Sequence, residues 1–315
     1  MQQNQISLVH LVWRPLGPAV LAQFVTAYRR CPAGVPHQLV VVYNGFESDA
    51  DRVPYEELLA DVEHTRVMLP APVQDLPAYL AAARTVANEY VCFVNSYSEP
   101  LAQGWLAKLH AHARRSDVGL VGASGSWESH YTLTSHTLAE LHDEGPAAAA
   151  RRAIREMRRG RSLANMIASY LWMRRFVAAP QYDPFPNHHI RTNSFMLRRE
   201  LMLALRWPTI RTKLDAVAFE SGRDGLTRQV EARGLGVLVV GRDGEGYAPA
   251  DWWRSSTYRC GDQQNLLVAD NRTRQFGQFE SLDAETKARV FAKTWGPDPM
   301  ASAQALPRPA AIAGP

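Results

Sequence analysis

The chain has 315 residues and a mass of 35.2 kDa, with 46% hydrophobic and 21% charged residues. This length fits one large or two small domains, and the composition excludes a globally disordered, collagen-like or coiled-coil protein. The net charge of +4 is too small to predict nucleic-acid binding. No apolar run approaches the roughly 20 residues of a membrane-spanning helix, and the polar start Met1–Ile6 is unlike a signal peptide. Three scattered cysteines without metal spacing fit a reducing, cytoplasmic setting.

Apolar runs of strand length alternate with amphipathic helical patterns from the start of the chain to Gly122. The predicted strands are Ile6–Val12, His37–Tyr43, Thr65–Leu69, Tyr90–Val94 and Val118–Gly122. The predicted helices are Ala19–Arg30, Pro54–Asp61, one that begins at Asp75, and Gly104–Arg115. This alternation indicates an α/β fold with a mostly parallel, Rossmann-like sheet flanked by helices. Ligands bind such sheets at the carboxyl ends of the strands, in loops Trp13–Pro18, Asn44–Asp51, Asn95–Pro100 and Ala123–His130.

The organisation changes after this alternation. Residues 130–180 are predicted to form a helical, Arg-rich insertion, and strand character returns at Arg191–Leu197 and Leu235–Val240. Residues 246–298 are predicted as a polar and aromatic C-terminal extension of the main domain, 1–298. The tail 299–315 is rich in Ala and Pro, and its composition predicts disorder.

Several common nucleotide and hydrolase signatures are missing. The loop after the first strand, Trp13–Pro18, lacks the GxGxxG pattern of dinucleotide sites, and its prolines remove amide donors. The chain contains no GxxxxGK[ST] phosphate loop and no GxSxG nucleophile turn. A dehydrogenase, a P-loop enzyme or a serine hydrolase is therefore disfavoured.

One block after a predicted strand carries a family resemblance. It reads Phe93-Val94-Asn95-Ser96-Tyr97-Ser98-Glu99-Pro100, then Gly104-Trp105-Leu106 and the strand Val118–Gly122. The block resembles the family 2 glycosyltransferases, which have the type A nucleotide-diphospho-sugar transferase fold, and the likeness covers roughly residues 6–245. The resemblance implies a hexosyltransferase, inverting in stereochemistry. It would move a sugar from a UDP- or GDP-sugar donor to a hydroxyl of a glycan or lipid-linked acceptor, in bacterial glycan or surface polysaccharide synthesis. The alternative is a non-catalytic nucleotide-sugar- or glycan-binding protein of the same fold.

The acidic motif of this family is altered here. Its Asp-x-Asp carboxylates would hold a divalent cation on the diphosphate, whereas this chain has Asn95, Ser96 and Tyr97, with Glu99 as the only carboxylate. Either Glu99 holds Mn²⁺ or Mg²⁺ weakly, or arginines neutralise the leaving group instead. The candidate arginines are Arg14, Arg191 and Arg223. The block could also be a plain strand-to-helix turn.

Further donor and acceptor residues follow from the same resemblance. Trp13, Arg14 and Asn44 join Asn95–Glu99 as donor-site residues, with Asn44 placed either to bind a base edge or as a turn residue. His188, Arg191 and Asn193 precede the acceptor-side strand as a polar rim. Adjacent His188 and His189 would point to opposite faces of a strand, which argues against a shared metal.

The acid/base candidates lie in the segment Asp215–Arg223. The resemblance places a carboxylate here that would deprotonate the acceptor hydroxyl, and Glu220 is favoured over Asp215, although either could be a helix cap or a salt-bridge partner. Arg223 belongs to the same acceptor side. An aromatic and basic lid is predicted beyond the last strand, at Trp252, Trp253 and Arg254, unless these residues only pack an extension.

The segment Arg151–Arg161 contains six arginines beside apolar Ile154 and Met157. This pattern suits a peripheral contact with the anionic inner face of a membrane. The alternative is a solvated helical insertion.

Overall fold

The computed structural model describes residues 5–158, 162–178, 181–278 and 283–306. Within them the strands are β1 (Ile6–Trp13), β2 (Gln38–Asn44), β3 (Thr65–Met68), β4 (Tyr90–Val94), β5 (Glu99–Pro100), β6 (Val118–Gly122), β7 (Gly125–Ser126), β8 (His189–Ile190), β9 (Ser194–Arg198), β10 (Gly236–Val240), β11 (Gly246–Tyr247) and β12 (Val268–Ala269). The α-helices are α1 (Pro18–Arg30), α2 (Val53–Leu58), α3 (Asp75–Thr85), α4 (Trp105–Ala113), α5 (His130–Asp143), α6 (Pro146–Arg158), α7 (Leu163–Ala178), α8 (Arg199–Ala204), α9 (Lys213–Ser221), α10 (Leu226–Glu231), α11 (Asn271–Gln278), α12 (Ala284–Trp295) and α13 (Pro299–Gln304).

Eight strands form the main sheet in the order β11-β10-β6-β9-β4-β1-β2-β3. The neighbours of β1 are parallel to it, as are the pairs β2–β3 and β6–β10. Strand β9 runs antiparallel between β4 and β6, and β11 is antiparallel at the edge. The predicted fold class, an α/β protein with a mostly parallel sheet flanked by helices, is confirmed.

Both faces of this sheet are buried under apolar layers. On β1, Val9 and Leu11 belong to the layer that contains Tyr79 of α3. The alternate residues of β1 belong to the opposite layer, which contains Phe24 of α1 and Trp105 of α4. Two buried faces explain why the strands read as continuous apolar runs.

The strand predicted at Arg191–Leu197 begins three residues later than expected. His189–Ile190 pairs with β7 in a small separate sheet, and β9 begins at Ser194. The residues between form a turn, in which the Asn193 carbonyl accepts from the Asn95 amide at 2.9 Å. This turn carries polar side chains to the carboxyl end of β4.

The predicted disorder from residue 299 is wrong as far as residue 306. Asp298 caps α13 by accepting a hydrogen bond from the Ala301 amide at 3.1 Å, and Leu306 is buried in the core with Trp295. The composition of the segment predicts neither the cap nor this single apolar anchor. Residues 307–315 lie outside the described part of the chain.

Three helices, α5, α6 and α7, occupy the stretch predicted as a helical insertion. Arg159 and Arg161 of the arginine-rich segment lie outside the described residues. Among the helices of the described ranges, none combines the length and the apolar character that a membrane crossing requires.

Candidate functional site

A cavity of about 970 Å³ opens at the carboxyl ends of β1, β2 and β4. Its position is the one that a mostly parallel sheet predicts for a ligand. The strand-end residues that line it are Leu11, Trp13, Asn44, Asn95, Ser96 and Tyr97. A second set, here named the charged cluster, lines the same cavity and consists of Glu128, His130, His189, Glu220, Arg259 and Lys293.

The structure brings eight of the predicted site residues to this cavity. They are Trp13, Asn44, Asn95, Ser96, Tyr97, Arg191, Asn193 and Glu220. They come from five separate stretches of the chain, so their meeting is a property of the fold. The other eight predicted residues lie elsewhere.

Three predicted arginines do not line the cavity, and each has an acidic neighbour. The pairs are Arg14 with Asp51 at 2.8 Å, Arg223 with Asp183 at 2.9 Å and Arg254 with Asp251 at 2.5 Å. The neutralising role predicted for Arg14 and Arg223 and the lid role predicted for Arg254 are therefore not supported by their positions.

Asp215 and His188 also have structural partners. Asp215 completes a capping box at the start of α9, where its carboxylate accepts from the Thr212 amide at 2.8 Å. These contacts lower the pKa of Asp215, which is consistent with an ionised cap. His188 is buried and, unlike His189, does not line the cavity; its Nε2 is 2.6 Å from Glu231.

The two tryptophans of the predicted lid are core residues. Trp252 is fully buried, and its indole nitrogen donates to the Tyr247 carbonyl at 2.9 Å. Trp253 is partly buried against the same apolar layer. These rings therefore pack the C-terminal extension against the core, which is the alternative to a lid.

Asn44 lies at the cavity, but its side chain is already engaged. The amide nitrogen donates to the Val73 carbonyl at 2.8 Å, and the amide oxygen accepts from the Val73 nitrogen at 3.1 Å. Asn44 therefore fixes the loop that places Val73 at the cavity. This geometry disfavours direct reading of a base edge. Asn44 is also not the turn residue of the alternative, because it ends β2 and the positive φ belongs to Gly45.

The loop after β4 is held by its own hydrogen bonds. The Asn95 side-chain oxygen accepts from the Tyr97 amide at 3.0 Å and from the Ser98 hydroxyl at 2.9 Å. The Ser96 hydroxyl donates to the Leu11 carbonyl at 2.7 Å. The oxygens that replace the family's carboxylates therefore shape the loop.

Glu99, the one carboxylate of this loop, does not line the cavity. Its Oε1 is 2.5 Å from the Arg274 guanidinium, which also donates to the Tyr97 carbonyl at 3.2 Å. No group of three or more His, Cys, Asp or Glu side chains within the described residues is arranged to hold a metal ion. The donor set at Asn95–Glu99 thus does not fit a Mn²⁺ or Mg²⁺ site.

Asn193 offers an unused donor in the cavity. The residue is 4% exposed, and its side-chain oxygen accepts from the Ser124 hydroxyl at 2.9 Å. Its Nδ2 is buried and has no hydrogen-bond partner in the part of the chain that the structure describes. A buried amide donor without a partner costs free energy, so a ligand oxygen that accepts from Nδ2 would be favoured.

Arg191 is fixed by three contacts beside the cavity. Its Nη2 is 2.6 Å from Asp270, its Nη1 donates to Ser124 at 3.0 Å, and its guanidinium lies 4.0 Å from the Tyr258 ring centroid. The Asp270 side chain is 1% exposed. This ion pair ties the turn before β9 to the start of α11.

The charged cluster contains a carboxylate between two cations. Glu128 lies 3.1 Å from Arg259 and 3.6 Å from Lys293. Burial alone would raise the pKa of Glu128, but the two positive charges outweigh it and the pKa is lowered. Arg259 has a positive φ of 48°, which is uncommon outside glycine and places strain at the cavity.

Glu220 is the second carboxylate of the cluster and is half-buried. Its Oε2 accepts from the Thr192 amide at 3.0 Å and from the Thr192 hydroxyl. Burial alone would raise the pKa of Glu220, yet the nearby His189 and the hydrogen bonds from Thr192 lower it overall. Glu220 is therefore ionised at neutral pH.

Sequence reasoning missed most of the charged cluster. Glu128 and His130 lie in the loop Ala123–His130, which the strand pattern predicts to be a ligand-binding loop. Their neighbours in the sequence do not distinguish them from ordinary surface residues. Arg259 and Lys293 come from the C-terminal extension, where the sequence pattern predicts Trp252, Trp253 and Arg254 as site residues instead. Only their shared contact with Glu128 identifies them.

No family model matches the sequence, and no curated protein matches it. Among solved structures, the fold is similar to a mannosyltransferase from Pyrobaculum calidifontis in complex with GDP-Man and Mn²⁺, with 16% identity over 38% of this chain and 36% of that one, and a TM-score of 0.32. It is also similar to a glucosyl-3-phosphoglycerate synthase from Mycobacterium tuberculosis in complex with Mn²⁺, UDP and glucosyl-3-phosphoglycerate. That alignment has 15% identity over 63% of this chain and 58% of the other, with a TM-score of 0.34.

A third similar structure is S. aureus TarS in complex with UDP-GlcNAc, with 13% identity over 38% of this chain and 33% of that one, and a TM-score of 0.30. The chain thus spans between a third and three fifths of these proteins' lengths. All three TM-scores are below 0.5, so these similarities do not assign a function to this chain.

Proposed function

We propose that this protein transfers a sugar from a nucleoside-diphosphate donor to an acceptor hydroxyl. The observation that carries the proposal is the single cavity that joins the polar strand ends at Asn95–Tyr97 to the carboxylate of Glu220. Group transfer needs a binding surface for the leaving diphosphate and an acid/base group in one enclosed space. The family resemblance of the block around Asn95 supports the same reaction.

The diphosphate would be held by protein cations and amide donors. Arg211 and Arg272 line the cavity. Among the described residues, Arg272 has no salt bridge, and the only carboxylate near Arg211 is that of Asp215, whose pKa the Arg211 charge helps to lower. Arginine pairs with phosphate through two parallel hydrogen bonds, and the free Nδ2 of Asn193 supplies a further donor. Because the loop at Glu99 does not fit a metal, no step of this proposal depends on one.

The finer identity of the reaction extends the same proposal. A hexosyl donor carried by UDP or GDP, inversion at the sugar carbon and a glycan or lipid-linked acceptor follow from the family resemblance. So does a role in bacterial glycan or surface polysaccharide synthesis at the inner face of the membrane. Glu220 is the carboxylate that we place beside the acceptor hydroxyl.

A nucleoside diphosphate is expected to stabilise the folded protein. At a concentration of 100 times the dissociation constant, UDP or GDP should add about 2.7 kcal/mol to the free energy of unfolding. A thermal-shift titration measures this stabilisation. The shift should be equal in EDTA and in Mn²⁺, because the Glu99 carboxylate is already paired with Arg274 and is not free to bind a metal ion. The variant Arg272→Gln should weaken the shift. Its matched control, Arg14→Gln, should not, because the wild-type Arg14 guanidinium is paired with Asp51 outside the cavity.

Two results would contradict the donor site. The first is a melting temperature that no nucleoside diphosphate moves at millimolar concentration. The second is a shift that vanishes in EDTA and returns with Mn²⁺, which would place a metal between protein and nucleotide. Released UDP or GDP then separates an enzyme from the alternative, a protein that binds nucleotide-sugars without catalysis, because a binder releases none above the blank.

The helices α6 and α7 support a peripheral contact with an anionic membrane. On α6, Ile154 and Met157 are 48% and 46% exposed, and on α7 Leu163, Ile167 and Leu171 are each more than half exposed. The last three recur every fourth residue, so they share one helix face. Exposed arginines accompany the apolar residues of α6, at Arg151, Arg155 and Arg158. Apolar residues beside basic ones are the pattern of an interfacial helix.

Vesicle binding tests this contact. Co-sedimentation with vesicles rich in phosphatidylglycerol should exceed that with phosphatidylcholine and should decrease with salt, since each basic residue contributes about 1 kcal/mol. Ile167→Glu should reduce binding, while Met300→Glu, at an apolar residue of α13 that is 63% exposed, should leave it unchanged. Equal binding to both kinds of vesicle, or none to either, would contradict the proposal.

A further inference from the structure

His189 has a defined hydrogen position in the cavity. It lies on β8, is 6% exposed, and its Nδ1 is 2.9 Å from the Asn187 carbonyl oxygen. A carbonyl oxygen only accepts, so Nδ1 carries the hydrogen and Nε2 carries the lone pair. The ring lines the cavity, and Nε2 has no hydrogen-bond partner among the described residues. A free basic nitrogen is thus available to a ligand.

The groups around His189 keep it neutral and leave it next to negative charge. Burial lowers the pKa of His189, while Glu220 and Glu128 raise it and His130 lowers it, with a net decrease. Glu220 is ionised, and its Oε2 is already occupied by the amide and hydroxyl of Thr192. A carboxylate that accepts several hydrogen bonds is a weak base, whereas a neutral imidazole beside it can take a proton at neutral pH.

We infer that His189 Nε2 is the base that takes the proton of the acceptor hydroxyl, with Glu220 stabilising the imidazolium that forms. The inference rests on the glycosyl transfer proposed above and names a catalytic residue for it. As the proton moves to Nε2, the electron pair of the O–H bond stays on the acceptor oxygen. That oxygen then forms a bond to the anomeric carbon. The bond from that carbon to the diphosphate oxygen breaks, and its electron pair departs with the diphosphate. With water as acceptor, the products are the free sugar and the nucleoside diphosphate.

His130 is the rival base because it lines the same cavity. It begins α5, and its ring lies 5.3 Å from that of Tyr182. No hydrogen bond to a described residue fixes its tautomer. His130→Asn is therefore the matched control for His189→Asn.

The experiment uses the full chain and measures nucleoside diphosphate released from UDP-glucose, UDP-N-acetylglucosamine and GDP-mannose in water. His189→Asn retains an amide that donates to the Asn187 carbonyl but lacks the base. We expect turnover to fall by about 10²-fold or more, and the thermal shift with nucleoside diphosphate to persist. The acidic limb of the wild-type pH–rate profile, where rate rises as His189 loses its proton, should be absent in the variant.

Rescue by added imidazole separates a chemical role from a structural one. His189→Ala leaves space for a free imidazole, which should increase its turnover and restore the acidic limb, and imidazole should not affect His130→Asn. The inference is overturned if His189→Asn keeps the wild-type rate and limb, or if the limb disappears in His130→Asn instead. It is also overturned if imidazole leaves His189→Ala unchanged while nucleotide still binds. Wild-type protein that binds no nucleotide and releases none would overturn the proposed function and this inference together.

Discussion

Replacing Glu220 by glutamine is expected to reduce turnover by about 10²–10⁴-fold, because the acid/base step that contributes this range depends on the Glu220 charge. Gln keeps the volume and can still accept from Thr192, so donor affinity should stay close to the wild-type value. The loss has a charge-based reason, because the imidazolium of His189 would form without its nearby anion. The measurement is nucleotide release at saturating donor, together with nucleotide affinity from the thermal shift.

The pH dependence of the same variant gives a second signature. Glu220 raises the pKa of His189 against the lowering effect of burial. Removing its charge should move the acidic limb of the pH–rate profile to lower pH. A limb that stays in place would contradict the coupling of these two groups.

Asp215→Asn is the matched control on the same helix. Its carboxylate caps α9 and does not line the cavity, so turnover should be unchanged and only a loss of about 1 kcal/mol in stability is expected. Turnover that survives in Glu220→Gln and is lost in Asp215→Asn would instead transfer the catalytic role to Asp215.

The largest effect on stability is expected for Asp270→Asn. The Asn side-chain oxygen can still accept the hydrogen bond from the Thr273 amide, which is 2.8 Å long in the wild type. The Arg191 guanidinium, however, is left buried without its counter-charge. Breaking a buried pair by removing one partner costs about 3–5 kcal/mol. Denaturant unfolding measures this loss as a lower midpoint with an unchanged slope.

The pH dependence of this loss follows from the pKa of Asp270. Burial raises that pKa, but the Arg191 charge and the Thr273 hydrogen bonds outweigh burial and lower it. The stabilisation is therefore present above the unfolded value of about 3.9 and is lost as the pH falls through the lower folded value. The difference between wild type and variant should be constant near neutral pH and shrink below about pH 4.

Asp224→Asn is the control for the buried pair. Its partner Arg206 is 3.4 Å away, and both side chains are more than three quarters exposed. Exposed pairs contribute about 0–1 kcal/mol, so this variant should unfold close to the wild type. Equal losses for Asp224→Asn and Asp270→Asn would contradict the importance assigned to burial.

The sequence by itself determined the sheet and the position of the cavity. The strands Tyr90–Val94 and Val118–Gly122 have the predicted bounds, because strands buried on both faces must be apolar throughout. Parallel neighbours end at one edge of the sheet, so Trp13, Asn44 and Asn95 were expected to lie together there. Strand geometry also predicts different surroundings for the adjacent His188 and His189, and only His189 lines the cavity.

Only the tertiary structure decided which charged residues belong to the site. Asp215 and Glu220 lie on one short helix, but the first faces its own N-terminus and the second faces the cavity. Arg191 is held by Asp270, 79 residues away in the chain, and Glu128 lies between Arg259 and Lys293, more than a hundred residues further on. Charged side chains look alike in a sequence. Their pKa, exposure and partners depend on which distant segments fold against them.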